Sequence, residues 1–151
     1  MAQRKQGRVK EGVGLNIEQE LGGYFRAFMR AGWNEGSNES FAFTEVNDTF
    51  AIGGDVRGTA WGRGDDKVGL AVVTNGISAA HRDYLALGGK GFLLGDGGLS
   101  YARENIVEHY YALHVWNGFT LTGDVQAIAN PGYNQDRGPV LVLSGRGHVE
   151  F

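Results

Sequence analysis

The sequence predicts an all-β chain, an antiparallel up-and-down meander of the kind that builds a transmembrane outer-membrane β-barrel. Three observations predict it. Apolar and polar residues alternate in one segment after another, which on strands sends one set to each face. The connections between those segments alternate short and long, as the turns and loops at the two ends of an outer-membrane barrel do. The chain finishes on Leu141, Leu143, Gly145, Gly147, Val149 and Phe151, interleaved with Ser144, Arg146, His148 and Glu150. An aromatic ending an apolar strand face suits a lipid boundary, where ring side chains concentrate.

The elements follow in order from period-two patterning and turn residues. A first strand near 12–21 sets Val13, Leu15, Ile17 and Leu21 against Asn16, Glu18 and Glu20. A second near 24–34 sets Phe25, Ala27, Met29, Ala31 and Trp33 against Arg26, Arg30 and Asn34. A third near 43–61 carries Phe50, Ile52, Gly54, Val56 and Ala60 opposite Thr49, Asp55, Arg57 and Thr59. The fourth, near 67–77, is apolar on both faces, with Val68, Leu70, Val72 and Val73. A fifth near 105–116 places Tyr111, Leu113 and Val115 opposite Glu108, Tyr110 and His114. A sixth near 119–130 places Phe119, Leu121, Val125 and Ala127 opposite Thr120, Thr122, Asp124 and Gln126, and the terminal strand makes about seven. Ahead of them, residues 1–11 are basic and expected to be irregular; residues 12–151 form one partial barrel domain.

The short links are Leu21-Gly22-Gly23, Gly62–Asp66 and Asn117-Gly118; the long ones are Asn34–Phe41, Ser78–Glu104 and Asn130–Pro139. All three short links then fall at one end, where Trp61, Trp116, Phe119 and Phe151 form an aromatic rim. Inside the longest link, Ala79–Leu87 reads as a short helix between Ser78 as N-cap and Gly88-Gly89 as a stop.

Composition agrees. There are 26 glycines among 151 residues but only 2 prolines, well above the usual ~7% glycine and without a collagen period. A net charge of −3 with no basic stripe excludes a nucleic-acid footprint. With no cysteine, thiolate metal sites, thiol nucleophiles and disulfides drop out together. No run nears the ~18 apolar residues of a membrane helix, which says nothing against strands that need only ~10. Met1–Arg8 is basic with no apolar stretch behind it and is not a secretory signal. A membrane reading therefore expects the chain to lack its true beginning.

Three stretches, AFTEVNDTFAIGGDVRGTAWGRGDDKVGLA, NGISAAHRDYLALGGKGFLLGDG and IANPGYNQDRGPVLVLSGRGHVEF, resemble the C-terminal part of the carbohydrate-selective porin family (OprB type). The similarity runs from about Gly12 onward. It implies a barrel of about sixteen strands that admits sugars passively through the bacterial outer membrane. It also implies that this chain holds only the last part of such a barrel, without the constriction residues of the first half. The partners so implied are sugars as permeants, outer-membrane lipid, and either a missing N-terminal barrel half or another copy.

No catalytic pattern competes. His81-Arg82-Asp83-Tyr84 lacks the Asn, Gly-rich loop and Asp-Phe-Gly of a kinase, and reads as a polar loop. Gly88-Gly89-Lys90-Gly91 has neither P-loop spacing nor a Ser/Thr after the lysine. His109 and His114 are five apart and face opposite ways on a strand, so they cannot share a metal. No enzyme and no cofactor is expected. The polar strand face stands out instead: Arg26, Arg30, Asp55, Arg57, Glu108, Tyr110, His114, Asp124, Gln126, Arg146 and Glu150, joined by His148, Tyr24 and Phe28. In a barrel these line the lumen, hold water and offer hydrogen bonds to sugar hydroxyls. The competing expectation is a soluble β-rich module that binds a carbohydrate or another ligand, its apolar face packed under a second layer.

Overall fold

The alternating segments become one seven-stranded sheet in which every strand pairs antiparallel with its neighbour in sequence. The computed structural model describes residues 9–38, 45–91, 94 and 97–151. Residues 1–8 of the basic segment lie outside the described residues, as do residues 43–44 at the expected start of the third strand.

The strands are β1 (Gly12–Leu21), β2 (Phe25–Asn34), β3 (Asp48–Gly58), β4 (Arg63–Gly76), β5 (Glu104–Trp116), β6 (Phe119–Ala129) and β7 (Val140–Val149). The links β1–β2, β3–β4 and β5–β6 are tight and share one end of the sheet; the other three are long and share the opposite end. Gly22 and Gly23 turn the first link with φ of 63° and 73°, a region that side chains other than glycine's disfavour. Three boundaries differ from expectation. β3 spans only Asp48–Gly58, and Thr59–Trp61, expected as its end, form a 3-10 turn instead. β4 begins at Arg63, because a bulge shifts the register between Arg57 and Gly58 and takes up the extra residues. β7 stops at Val149, leaving Glu150 and Phe151 beyond the ladder, although the Glu150 amide still donates to the Gly118 carbonyl at 2.7 Å.

Register decides the faces. Val13 opposes Trp33, Ile17 opposes Met29, Met29 opposes Ile52, and Ile52 opposes Val72. Val72 opposes Val107, Val107 opposes Ala127, and Ala127 opposes Leu141. A mainly apolar face thus runs across all seven strands, with Gln19 and His109 as polar exceptions and Asp48, Thr74 and Asn105 as polar members near the long links. Among the described residues no layer covers this face: Leu70 is 53% and Leu143 71% exposed. Aromatic residues stand at both of its ends: Trp33 and Phe50 near the long links, and near the tight turns Trp116 against Phe119, with centroids 4.6 Å apart, and Trp61 tilted against Tyr111 at 6.3 Å.

The buried apolar side chains sit in the long links. Ile77, Leu85, Leu94 and Tyr133 form the core, with Val46, Leu99 and Tyr101 against it. Helix α1 (Ala79–Ala86) supplies Leu85 and is capped as expected, the Ser78 hydroxyl accepting from the His81 amide at 3.1 Å. The Arg82 guanidinium lies 4.2 Å over the Tyr101 ring, and Tyr101 bridges to Asn134. The buried Glu45 carboxylate accepts from the Leu94 amide at 2.8 Å. No helix is long and apolar enough to cross a membrane among the described residues.

Candidate functional site

The face opposite the apolar one is built in transverse rows. One row reads Glu20, Arg26, Asp55, Gly69, Tyr110, Asp124, Ser144 from β1 to β7. The next row toward the long links reads Glu18, Phe28, Gly53, Ala71, Glu108, Gln126, Val142. On the other side, toward the tight turns, Arg57, Lys67, Ala112, Thr122 and Arg146 align, followed by His114, Thr120 and His148. The sequence-predicted residues Arg26, Asp55, Tyr110 and Asp124 therefore share one row, Glu108 and Gln126 lie one row above, and Arg57, Arg146 and His114 lie below. Arg30 sits two rows above Arg26, and Glu150 lies past the end of β7.

Cross-strand neighbours hold these groups in place. The Arg26 guanidinium spans three strands: its Nε donates to Asp55 Oδ2 at 2.7 Å, Nη2 reaches the same oxygen, and Nη1 donates to Glu18 at 3.1 Å. Asp55 is buried by this contact. Arg57 pairs with Glu20 at 3.5 Å, Arg30 donates to Asn16 at 3.1 Å, Gln126 to Glu108 at 3.2 Å, and Ser144 to Asp124 at 3.2 Å. With arginines about half exposed, such pairs add little stability, ~0–1 kcal/mol each. Their effect is to fix where charge is presented. Around the Arg26 cluster, Glu18, Glu20, Tyr24, Phe25, Arg57 and Lys67 line a concavity of about 230 Å³.

Two rings lie against the sheet. A Cβ built on Gly69 would come 2.2 Å from the Tyr110 ring, and one on Gly53 would come 2.8 Å from Phe28 Cζ. The rings therefore rest on backbone bare of side chains, and Arg30 sits 5.1 Å from the Phe28 centroid. The fourth strand reads as apolar on both sides because Ala71 and Val73 share this face with Gly69, over which the Tyr110 ring lies. Tyr24 stands in the β1–β2 turn, from which it lines the concavity around the Arg26 cluster. His109 and His114 do face opposite ways. Polarity is graded: in the row near the long links only Asn16 and Arg30 are polar, and Ala51, Val73, Ile106, Ile128 and Val140 continue it as an apolar run.

Glu18, Glu20 and Lys67 belong to the cluster yet were legible only as members of an alternating strand; register was the missing information. A second polar cluster went unread altogether. Asp66, buried at the outer rim, accepts from Tyr111 Oη at 2.5 Å, the His114 amide at 2.9 Å and Arg63 Nε at 2.5 Å. Trp61 Nε1 donates to the same Tyr111 hydroxyl at 3.0 Å. The polar pocket ties the tight-turn bulge to β5.

The profile of the carbohydrate-selective porin, OprB family matches residues 1–151. The chain belongs to that family. Among solved structures this porin-family chain is similar to OprB of Pseudomonas putida, in its high-pH structure, with 18% identity and a TM-score of 0.69. The match covers 93% of this chain and 34% of that one, so the chain spans about a third of that protein's length. No curated protein matches. The likeness establishes the fold: seven up-and-down strands of an outer-membrane porin barrel, forming an open sheet that is part of the barrel wall. The apolar face is then the lipid face, the tight turns are the periplasmic end and the long links the extracellular end.

Proposed function

We propose that this chain forms part of the wall of a passive outer-membrane diffusion channel for carbohydrates, with the rows around Arg26, Asp55, Tyr110 and Asp124 lining the lumen. The observation that carries the reading is the Tyr110 ring resting on Gly69 within a row of fixed guanidinium and carboxylate groups. A sugar ring presents C–H faces that pack on aromatic surface and hydroxyls that exchange water for charged hydrogen-bond partners. The row's carboxylates Glu20, Asp55 and Asp124 are offset by Arg26 within it and by Arg57, Lys67 and Arg146 in the next row, so donors and acceptors stand together without a strong net field, which suits an uncharged permeant. Arg30, Arg57, Glu108, His114, Gln126, Arg146 and Glu150 extend the same hydrated lining toward the two mouths. Transport needs no covalent step and no energy input; solute moves down its gradient through water held by the polar wall. A soluble binding module would need a layer over the outer face, and among the described residues none is present.

The test is a chimera in which this chain replaces the matched third of Pseudomonas putida OprB, reconstituted in liposomes. Swelling in isosmotic glucose that slows in Tyr110→Ala and Asp55→Asn variants, with ionic conductance retained, supports the reading. Conductance without any sugar-dependent swelling in the parent chimera refutes it.

A further inference from the structure

Beyond the apolar run that Ala51, Val73 and Ile106 continue, the same face turns polar again. The next row toward the long links reads Gly14, Gly32, Thr49, Asn75 and Glu104 from β1 to β5. Thr49 Oγ1 donates to Asn75 Oδ1 at 2.8 Å, and Asn75 Nδ2 donates to Glu104 at 3.2 Å. The other Glu104 oxygen accepts from the Gly132 amide at 2.9 Å, so both carboxylate oxygens are engaged. Past this row, the buried Asn47 is held from several sides. Its Oδ1 accepts from the Ser78 amide at 2.9 Å and lies 3.3 Å from His81 Nδ1, while its Nδ2 donates to Asn34 Oδ1 at 2.8 Å. Asn34 donates in turn to the Val46 carbonyl at 2.9 Å.

Asn34, Asn47, Thr49 and Asn75, with the bare backbone of Gly14 and Gly32, line a cavity of about 460 Å³, a volume typical of small-molecule clefts. Three of the four strands around it, β2 to β4, have a neighbour on each side. Gly14 and Gly32 oppose each other without a bulge and without a positive φ, so backbone conformation does not call for glycine at either. A Cβ on Gly14 would meet only the Ala31 carbonyl, at 3.8 Å. The space a side chain would take there is the cavity itself, and glycine inside a strand marks a close approach by something else.

We infer that this cradle is a second sugar subsite, at the extracellular mouth, which takes one neutral saccharide unit by its hydroxyls. The inference rests on the channel reading above and deepens it. The cradle is separate from the Arg26–Tyr110 rows, because Thr49 and Asp55 stand six residues apart on β3, about 20 Å. Its chemistry suits an uncharged ligand. Each of the three asparagine amides spends one of its two N–H hydrogens on the protein, which leaves donors for hydroxyl oxygens. No cation lines the cavity among the described residues. Arg30 leans over Phe28, toward the tight turns, and Arg103 pairs with Asp48 on the outer face. The peptide surface of the two glycines gives the C–H side of a pyranose a floor to lie on.

The chimera with Pseudomonas putida OprB, carrying isotope-labelled asparagine in detergent micelles, tests this by NMR. Glucose should shift the side-chain amide signals of Asn34 and Asn75 saturably, and glucuronate, the same ring with a carboxylate, should shift them far less. Gly14→Val should abolish the glucose shifts with the urea midpoint unchanged or raised, since it fills the cavity with a better strand former. Thr49→Val, which keeps the shape and removes the hydroxyl, should raise the half-saturating concentration roughly two- to tenfold, the worth of one hydrogen bond. Amides that stay still, that respond alike to glucuronate, or that keep the parent's response in either variant overturn the inference. Saturable shifts in a chimera without glucose-dependent swelling leave the cradle standing and sink the transport reading; swelling without shifts does the reverse.

Discussion

Gly69 and Tyr110 face each other across the β4–β5 ladder, and the tyrosine ring fills the space that a side chain at residue 69 would need. The phenol is thereby held down on the wall instead of standing into the channel. Gly69→Val should lift it. Losing an aromatic platform is worth about 0.5–1.5 kcal/mol, so sugar flux through the reconstituted chimera should fall roughly two- to tenfold at unchanged conductance. Liposome swelling measures it; an unchanged rate would show that the ring does not meet the permeant.

Facing is testable at one pair of adjacent residues. Leu143 opposes Val125 on the lipid side, while Ser144 opposes Asp124 on the polar side. Leu143→Arg should destabilise the membrane-inserted barrel by about 2–4 kcal/mol, the cost of an arginine near the bilayer midplane. Ser144→Arg, one residue along, should cost far less and gain an acidic neighbour in Asp124. Urea unfolding in vesicles compares the two, and equal losses would reverse the assigned faces.

At the periplasmic rim, Asp66→Ala strips the acceptor from the Tyr111 hydroxyl and the His114 amide together. A buried donor left without a partner costs about 1–3 kcal/mol. The same unfolding assay should register a loss in that range, with Tyr111→Phe losing less because the amide keeps its acceptor.

The loop core should loosen in alkali. Burial, with the Glu104 carboxylate adding to it, pushes the Tyr133 phenol up from its ordinary 10.0. The folded state thus keeps a proton that the unfolded chain releases, so this contribution to stability is complete below pH about 10 and is lost as pH climbs further. Tyrosinate absorbance should show a late-titrating phenol that Tyr133→Phe removes. Protease cleavage between residues 77 and 103 should rise sharply only beyond that pH, and Tyr133→Phe should delay the rise.

Strand count and order were legible because the link lengths alternate and period-two alternation survives in every strand but the fourth, whose apolar Ala71 and Val73 blur its polar face. Ser78 and Gly88 fixed the helix through local capping chemistry alone. What could not be read was whatever depends on register. Nothing local says that Arg26 meets Asp55, 29 residues away, and not Arg57. Nor does the run Arg63-Gly64-Asp65-Asp66-Lys67 announce that one of two adjacent aspartates is buried beneath Tyr111 while its neighbour is exposed. That outcome follows from a bulge, which exists only once β3 and β4 have paired. The apolar run near the long links was hidden for a similar reason: Ile106 and Ile128 look like ordinary strand residues until pairing puts them side by side.

Among the described residues the four buried apolar side chains all belong to the connections, not to the sheet. The molecule is consequently cohesive in two different solvents by two different means. Its outer cap is gathered by water's rejection of Leu85, Ile77, Leu94 and Tyr133, and that force acts wherever the cap is wet. Its wall has no such resource; backbone ladders hold it, and they become decisive only where lipid removes water as a competitor. Swapping lipid for a poor detergent should thus undo the wall first and spare the cap. Cooling, which weakens the hydrophobic effect, should act in the opposite order.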